Sequence, residues 1–207
     1  MTGPAAAPDA SGPVVPPVVA GVVPLVNLAN ALTVLRMALV PVFVAFAVGS
    51  GMTAPGPRVA ACVTFVVASL TDFVDGWIAR AYGLVTAFGK VADPIADKAL
   101  TGTALVLLSW YGRLPWWVTG LILVRELGVT GLRFWVLRLG VIPASRGGKI
   151  KTALQILAIA WYLAPFPPVV AGLGRPVMAA ALVVTVGTGV DYVLRALRLR
   201  RAARPAR

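Results

Sequence analysis

The chain has 207 residues, 59% of them hydrophobic and only 13% charged, with a formal net charge of +12. A soluble domain carries about 25% charged residues, so this composition argues for a protein embedded in lipid. Histidine is absent and cysteine occurs once, as Cys62, which excludes His-ligated zinc or haem, a Ser-His-Asp triad and an internal disulfide.

Residues 1–24 hold prolines at 4, 8, 13, 16, 17 and 24 among Ala and Val. They read as a disordered tail without the basic n-region of a secretory signal. A short interfacial helix is expected near Val26–Ala31. Six apolar stretches follow, at 32–49, 58–81, 88–110, 115–138, 149–165 and 176–196. Each is near the roughly 20 residues that cross a hydrocarbon core. Pro41 lies inside the first and is placed to kink it. Turn-forming segments separate them, including GSGMTAPGP at 49–57, YGRLP at 111–115 and LGVIPASRGG at 139–148. The expected fold is an all-α integral membrane protein. Six transmembrane helices over 25–197 enclose a polar, cytoplasm-facing cavity, and a basic cytoplasmic tail follows at 198–207.

Basic residues orient the bundle. With the amino terminus in the cytoplasm, the external loops hold only Arg58, Arg113 and Arg175. The cytoplasmic side receives Arg80, Lys90, Arg138, Arg146, Lys149, Lys151 and the Arg-rich tail. This asymmetry follows the positive-inside rule and predicts a multi-pass cell-membrane protein with both termini cytoplasmic. The tail suits anionic membrane lipids. No stacking aromatics accompany the basic residues, so nucleic acid is not an expected partner. The six tryptophans fall mostly near span ends, as an aromatic belt would.

The acidic residues are the most telling feature. Four of the seven, Asp72, Asp75, Asp93 and Asp97, lie within one 26-residue segment. The segment reads D-x2-D-G-x2-A-R-x8-G-x3-D-x3-D. Carboxylates near lipid are costly, so four together need a compensating ligand. At about 100° per residue, Asp72, Asp75, Gly76, Ala79 and Arg80 share one helix face; Gly89, Asp93 and Asp97 share another. An antiparallel hairpin brings the two faces together. Four carboxylates without histidine suit hard cations such as Mg²⁺ or Mn²⁺. Two such ions can clamp a pyrophosphate and stabilise the charge that develops as it is split. Gly76, Ala79 and Gly89 are small enough to let a bulky ligand approach the backbone. Packing through small residues with Asp–Arg pairs would explain the glycines, but not four carboxylates beside two local cations, Arg80 and Lys90.

With its eight matched positions, the segment resembles the signature of the CDP-alcohol phosphatidyltransferases. NLANALTVLRMALVP at 27–41, ADPIADKAL at 92–100, RELGVTGLRFWVLRLG at 125–140 and GGKIKT at 147–152 extend the resemblance over roughly residues 25–195. It implies a six-helix fold, Mg²⁺ or Mn²⁺ as two-ion cofactor, and homodimers. It also implies phosphatidyl transfer from CDP-diacylglycerol to an alcohol, with release of CMP. The acceptor expected is sn-glycerol 3-phosphate, the product phosphatidylglycerophosphate. Inositol phosphate and phosphatidylglycerol are the alternative acceptors. A cation transporter is the rival from another class, but no inverted repeat or broken helix supports it. By the resemblance, Asp72, Asp75, Asp93 and Asp97 ligate metal. Asp97 also serves as general base, a role that the absence of histidine leaves to a carboxylate. Asp72, Gly76, Ala79, Arg80 and Gly89 shape or contact the CDP portion.

Other polar residues divide between structure and function. Asn30, Thr33 and Arg36 open the first span. Helix capping by Asn30 and interfacial snorkelling by Arg36 stand against contact of the three with the nucleotide. Arg125 and Glu126 fall near the centre of span four, where charge is most costly. Glu126 is expected to pair within the bundle. Arg125, Arg133, Arg146, Lys149 and Lys151 are the expected contacts of the acceptor phosphate. Asp191 is expected to pair with Arg195, one turn away.

Overall fold

The computed structural model describes residues 27–84, 86–136 and 146–202. The Pro-rich head, residues 137–145 and the last five residues lie outside this description, as do the side chains of Arg80, Lys90, Arg133 and Arg146. The described secondary structure is wholly helical: α1 (Leu28–Ser50), α2 (Pro55–Ala81), α3 (Ala87–Trp110), α4 (Trp116–Val136), α5 (Arg146–Leu163), α6 (Pro168–Gly172) and α7 (Gly174–Ala202).

The separate interfacial helix expected near Val26–Ala31 is not observed. α1 runs unbroken from Leu28 through Pro41. Asn27 explains the early start: its side chain caps the helix by accepting the Asn30 N–H at 2.9 Å, a strong N-terminal signal. Gly51 ends α1 in the left-handed region, at φ 52°, which glycine adopts without a Cβ penalty. Thr86 caps α3 by accepting the Gly89 N–H at 3.0 Å. Two further differences lie near the carboxyl end. The extra short helix α6 follows Pro167 and starts on Pro168, using proline where a free N–H has no partner. α7 continues through the first residues of the basic tail, to Ala202.

Three stretches are long and apolar enough to cross a membrane: Leu28–Ser50, Pro55–Ala79 and Pro168–Arg198. α3, α4 and α5 are also long, but Asp93, Asp97, Glu126 and Lys151 interrupt their apolar sequence.

α1 packs along α2 and also touches α3, whereas α2 and α3 meet over little of their length. α5 packs on α7 and α2, and α4 on α7. The core fills one half of this bundle around Phe43, Phe65, Leu105, Ile122 and Ile159, each fully buried. Buried alanines at 47, 61, 104, 158 and 181 let the helices approach closely. The other half, at the start of α1 and α3 and the end of α2, is polar.

Candidate active site

The polar half is organised by α1. Arg36 is fully buried and donates from one terminal nitrogen to Asp72 at 2.5 Å and from the other to Asp75. One helical turn earlier, the Thr33 hydroxyl donates to Asp93 at 2.6 Å. Thus α1 reaches the carboxylates of α2 with a guanidinium and a carboxylate of α3 with a hydroxyl. Another turn back, the Asn30 side-chain oxygen accepts from Thr86 at 2.8 Å. These three residues lie at i, i+3 and i+6, which keeps them on one side of α1.

This corrects two sequence-based readings. Arg36 does not snorkel to the interface; it is 0% exposed. Burial of a guanidinium requires paired charge, and Asp72 and Asp75 provide it. Asn30 is not the cap of α1, because Asn27 fills that role and leaves the Asn30 side chain to meet α3. Arg36 adds a cation that is remote in sequence from the Asp segment.

A cavity of about 200 Å³ opens among Asn30, Thr33, Asp75, Ala79, Gly89 and Asp93, with Gly76 and Thr86 also on its wall. Gly89 leaves little spare room there. A Cβ at this position would stand 3.2 Å from the Asn30 side-chain oxygen and 3.3 Å from the Thr86 hydroxyl. Thr86 escaped the sequence reading, although a threonine three residues before a helical glycine is a recognisable cap.

Asp97 lies one turn beyond Asp93 on α3 and outside this cavity wall. The charges acting on it include Asp72, Lys98, Lys151 and Glu126. Those acting on Asp75 include Arg36, Asp72 and Asp93. The four carboxylates therefore form one electrostatic group. Their all-oxygen donor chemistry fits a hard divalent cation. Among the described residues, however, no three carboxylates are drawn close enough to enclose an ion.

A second polar cluster borders Asp97. Lys151 of α5 is 2.5 Å from Glu126 of α4. Arg125 donates to Glu126 at 3.1 Å, to the Thr185 carbonyl at 3.0 Å and to the Thr188 hydroxyl at 2.8 Å. Each of its side-chain nitrogens thus has a protein partner, and it ties α4 to α7. Gly189 makes room for it, since a Cβ there would meet the Arg125 side chain at 3.1 Å. The pairing role expected of Glu126 is observed, as is the Asp191–Arg195 pair at 2.9 Å. Lys149, two residues before Lys151 on α5, is exposed.

With this geometry in hand, comparison with known proteins is decisive. The model of the CDP-alcohol phosphatidyltransferases matches residues 26–187. The chain belongs to that family. Members similar to it include a probable phosphatidylglycerophosphate synthase of Mycobacterium tuberculosis (strain H37Rv), 53% identical over 180 residues, which cover 87% of this chain and 86% of the relative. A CDP-diacylglycerol–glycerol-3-phosphate 3-phosphatidyltransferase of Bacillus subtilis (strain 168) is 37% identical, over 80% of this chain and 93% of the relative. The family member of the same name from Escherichia coli (strain K12) is 37% identical over 66% of this chain and 76% of its own length.

Proposed function

We propose that this protein transfers the phosphatidyl group of CDP-diacylglycerol to sn-glycerol 3-phosphate, forming phosphatidylglycerophosphate and CMP. The observation that carries this reading is the 53% identity, along nearly the whole chain, to a relative bearing the synthase name. The carboxylates gathered at the polar end of α2 and α3, with Asp75 buried and the other three half-buried, support it.

Asn30, Gly76, Ala79 and Gly89 border the cavity that would take the CDP portion, and the small residues admit it close to the backbone. Asn30 and Thr33 supply polar atoms on one wall. Arg36 holds Asp72 and Asp75 in place from α1, and Arg80 of the same motif is a further proposed contact of the nucleotide. Asp72, Asp75, Asp93 and Asp97 would hold divalent ions, Mg²⁺ or Mn²⁺, which when bound would neutralise the charge of the pyrophosphate. Asp97 accepts the proton of the acceptor hydroxyl. The oxygen so released attacks the phosphorus that bears diacylglycerol, and the bond to the CMP phosphate breaks.

Lys151, next to Asp97 in charge, is the leading contact for the acceptor phosphate. Lys149, Arg133 and Arg146 complete the proposed basic approach. Arg125 belongs to it through Glu126 and Lys151. The remaining parts of the proposal are six membrane spans, a cytoplasm-facing site, a homodimer and a tail on anionic lipid. A panel of acceptors tests the reaction. CMP release from CDP-diacylglycerol should be fastest with glycerol 3-phosphate, and preference for inositol phosphate or phosphatidylglycerol would overturn the acceptor.

A further inference from the structure

The end of the bundle away from the Asp group holds a larger cavity, of about 870 Å³. Asp72 and Arg58 are separated by about 21 Å along α2 at the ordinary helical rise, so the two cavities lie toward opposite ends of the helices. Arg58, Arg113 and Arg175 all line the larger one. Arg58 comes from the first turn of α2, Arg113 from the connection between α3 and α4, and Arg175 from the start of α7, and the fold gathers them at one place. The lining contains no Asp or Glu. Among the described residues, none of the three forms an ion pair. Three like charges brought together without a counter-charge repel one another, and Arg113 does act on Arg58. Such an arrangement is sustained most simply by an anion that binds there.

The three arginines are not equivalent. Arg58 donates to the carbonyls of Tyr162, Leu163 and Ala164 at 2.8–3.0 Å, capping the end of α5. Arg113 donates to the Met52 carbonyl at 2.5 Å. Arg175 is exposed at the start of α7. Its preceding residue, Gly174, lets α7 close on the cavity wall, since a Cβ there would stand 3.0 Å from Trp161 and 3.2 Å from Tyr162. Trp161 in turn donates to the Val170 carbonyl at 3.0 Å and holds α6 over the same wall.

The rest of the lining identifies the kind of anion. Trp110, Trp116 and Trp117 are 73%, 54% and 64% exposed at this cavity. Exposed tryptophans mark the headgroup level of a bilayer, where an apolar ring and a polar edge are both satisfied. A soluble phosphate needs no such rim. We propose that this cavity binds the phosphate headgroup of an anionic phospholipid from the leaflet opposite the Asp site. Arg113 and Arg175 hold the phosphate, and the tryptophans flank its glycerol and upper acyl carbons. This rests on the membrane-spanning arrangement proposed above but not on the transfer reaction.

The test uses the full chain, purified in detergent and delipidated. It is incubated with dioctanoyl-phosphatidylglycerol, dioctanoyl-phosphatidylcholine or inorganic phosphate. Retained lipid is read by native mass spectrometry, and its place by crosslinking from benzoyl-phenylalanine at Ala179, which lines the cavity. Phosphatidylglycerol should be retained and crosslinked in preference to phosphatidylcholine. Arg175→Glu should weaken it by about 10-fold or more, as loss of a charge-assisted phosphate contact implies. Arg113→Gln, whose fold is checked by its melting transition, should act in the same direction. The proposal is overturned if phosphatidylcholine crosslinks equally well, or if both substitutions leave retention unchanged. It is also overturned if inorganic phosphate fully displaces the lipid, which would make this a site for a soluble anion. Because the readout is binding at Ala179, its failure is distinguishable from a failure to release CMP.

Discussion

The two ends of this bundle solve opposite charge problems. At one end, three carboxylates, Asp72, Asp75 and Asp93, meet a buried arginine and a threonine hydroxyl, both from α1. At the other, three arginines share a cavity without a carboxylate on its wall. The acidic end is interlocked: Arg36 is wholly buried, and its removal would take the shared guanidinium from Asp72 and Asp75. The basic end is open, with Arg113 and Arg175 exposed. The contrast teaches that burial decides what a charge does here. A buried charge holds helices together and shapes a site, whereas an exposed one is left for a partner.

The sharpest way to break this contrast is chelation. Exhaustive removal of divalent ions should abolish CMP release, and Mg²⁺ or Mn²⁺ should restore it; lipid retention at Ala179 should not change. Activity that persists in chelator would mean that the carboxylates serve another purpose. Next in size is Arg36→Met. Removing one partner of a buried ion pair costs about 3–5 kcal/mol, so the melting transition should fall steeply and turnover with it. A variant of wild-type stability would show that the carboxylates do not depend on α1.

Asp97→Asn keeps the shape and removes the proton acceptor. Turnover should drop by about 10²-fold or more, in line with general-base magnitudes, while bound CDP-diacylglycerol is largely retained in an equilibrium assay. Near-normal turnover would point to a different base. Gly89→Ala should be milder. The added Cβ presses on Asn30 and Thr86, so KM for CDP-diacylglycerol should rise by roughly 10-fold, about 1.4 kcal/mol, with kcat less affected. The smallest effect belongs to the basic end. Arg175→Gln should shift folding stability by no more than about 0.5 kcal/mol, as for exposed side chains generally. A larger loss, measured by denaturant titration, would place Arg175 with Arg36 among the structural charges.

Much of the acidic end was legible in one dimension. Asp72, Asp75, Gly76 and Ala79 share a helical face because their spacing follows the helical period, and Gly89, Asp93 and Asp97 do so for the same reason. The helix ends were less legible. Asn27 and Thr86 act through side chain to backbone contacts three residues on, a pattern common enough in loops to escape notice. The pairing of Arg36 with Asp72 and Asp75 was less legible still. Arg36 lies 36 residues before Asp72, and no periodicity links positions on different helices.

The sequence by itself determined the helical, lipid-compatible character of the chain, the carboxylate chemistry of its motif and the family to which that motif belongs. Composition and short-range spacing carry these, because hydrophobic burial and the 3.6-residue turn act locally. Only the tertiary structure decided which cation neutralises which carboxylate and that Arg125 ties α4 to α7. It alone brought Arg58, Arg113 and Arg175, 117 positions apart from first to last, to one cavity. Electrostatic pairing depends on distance in space, and only packing of the helices sets that distance.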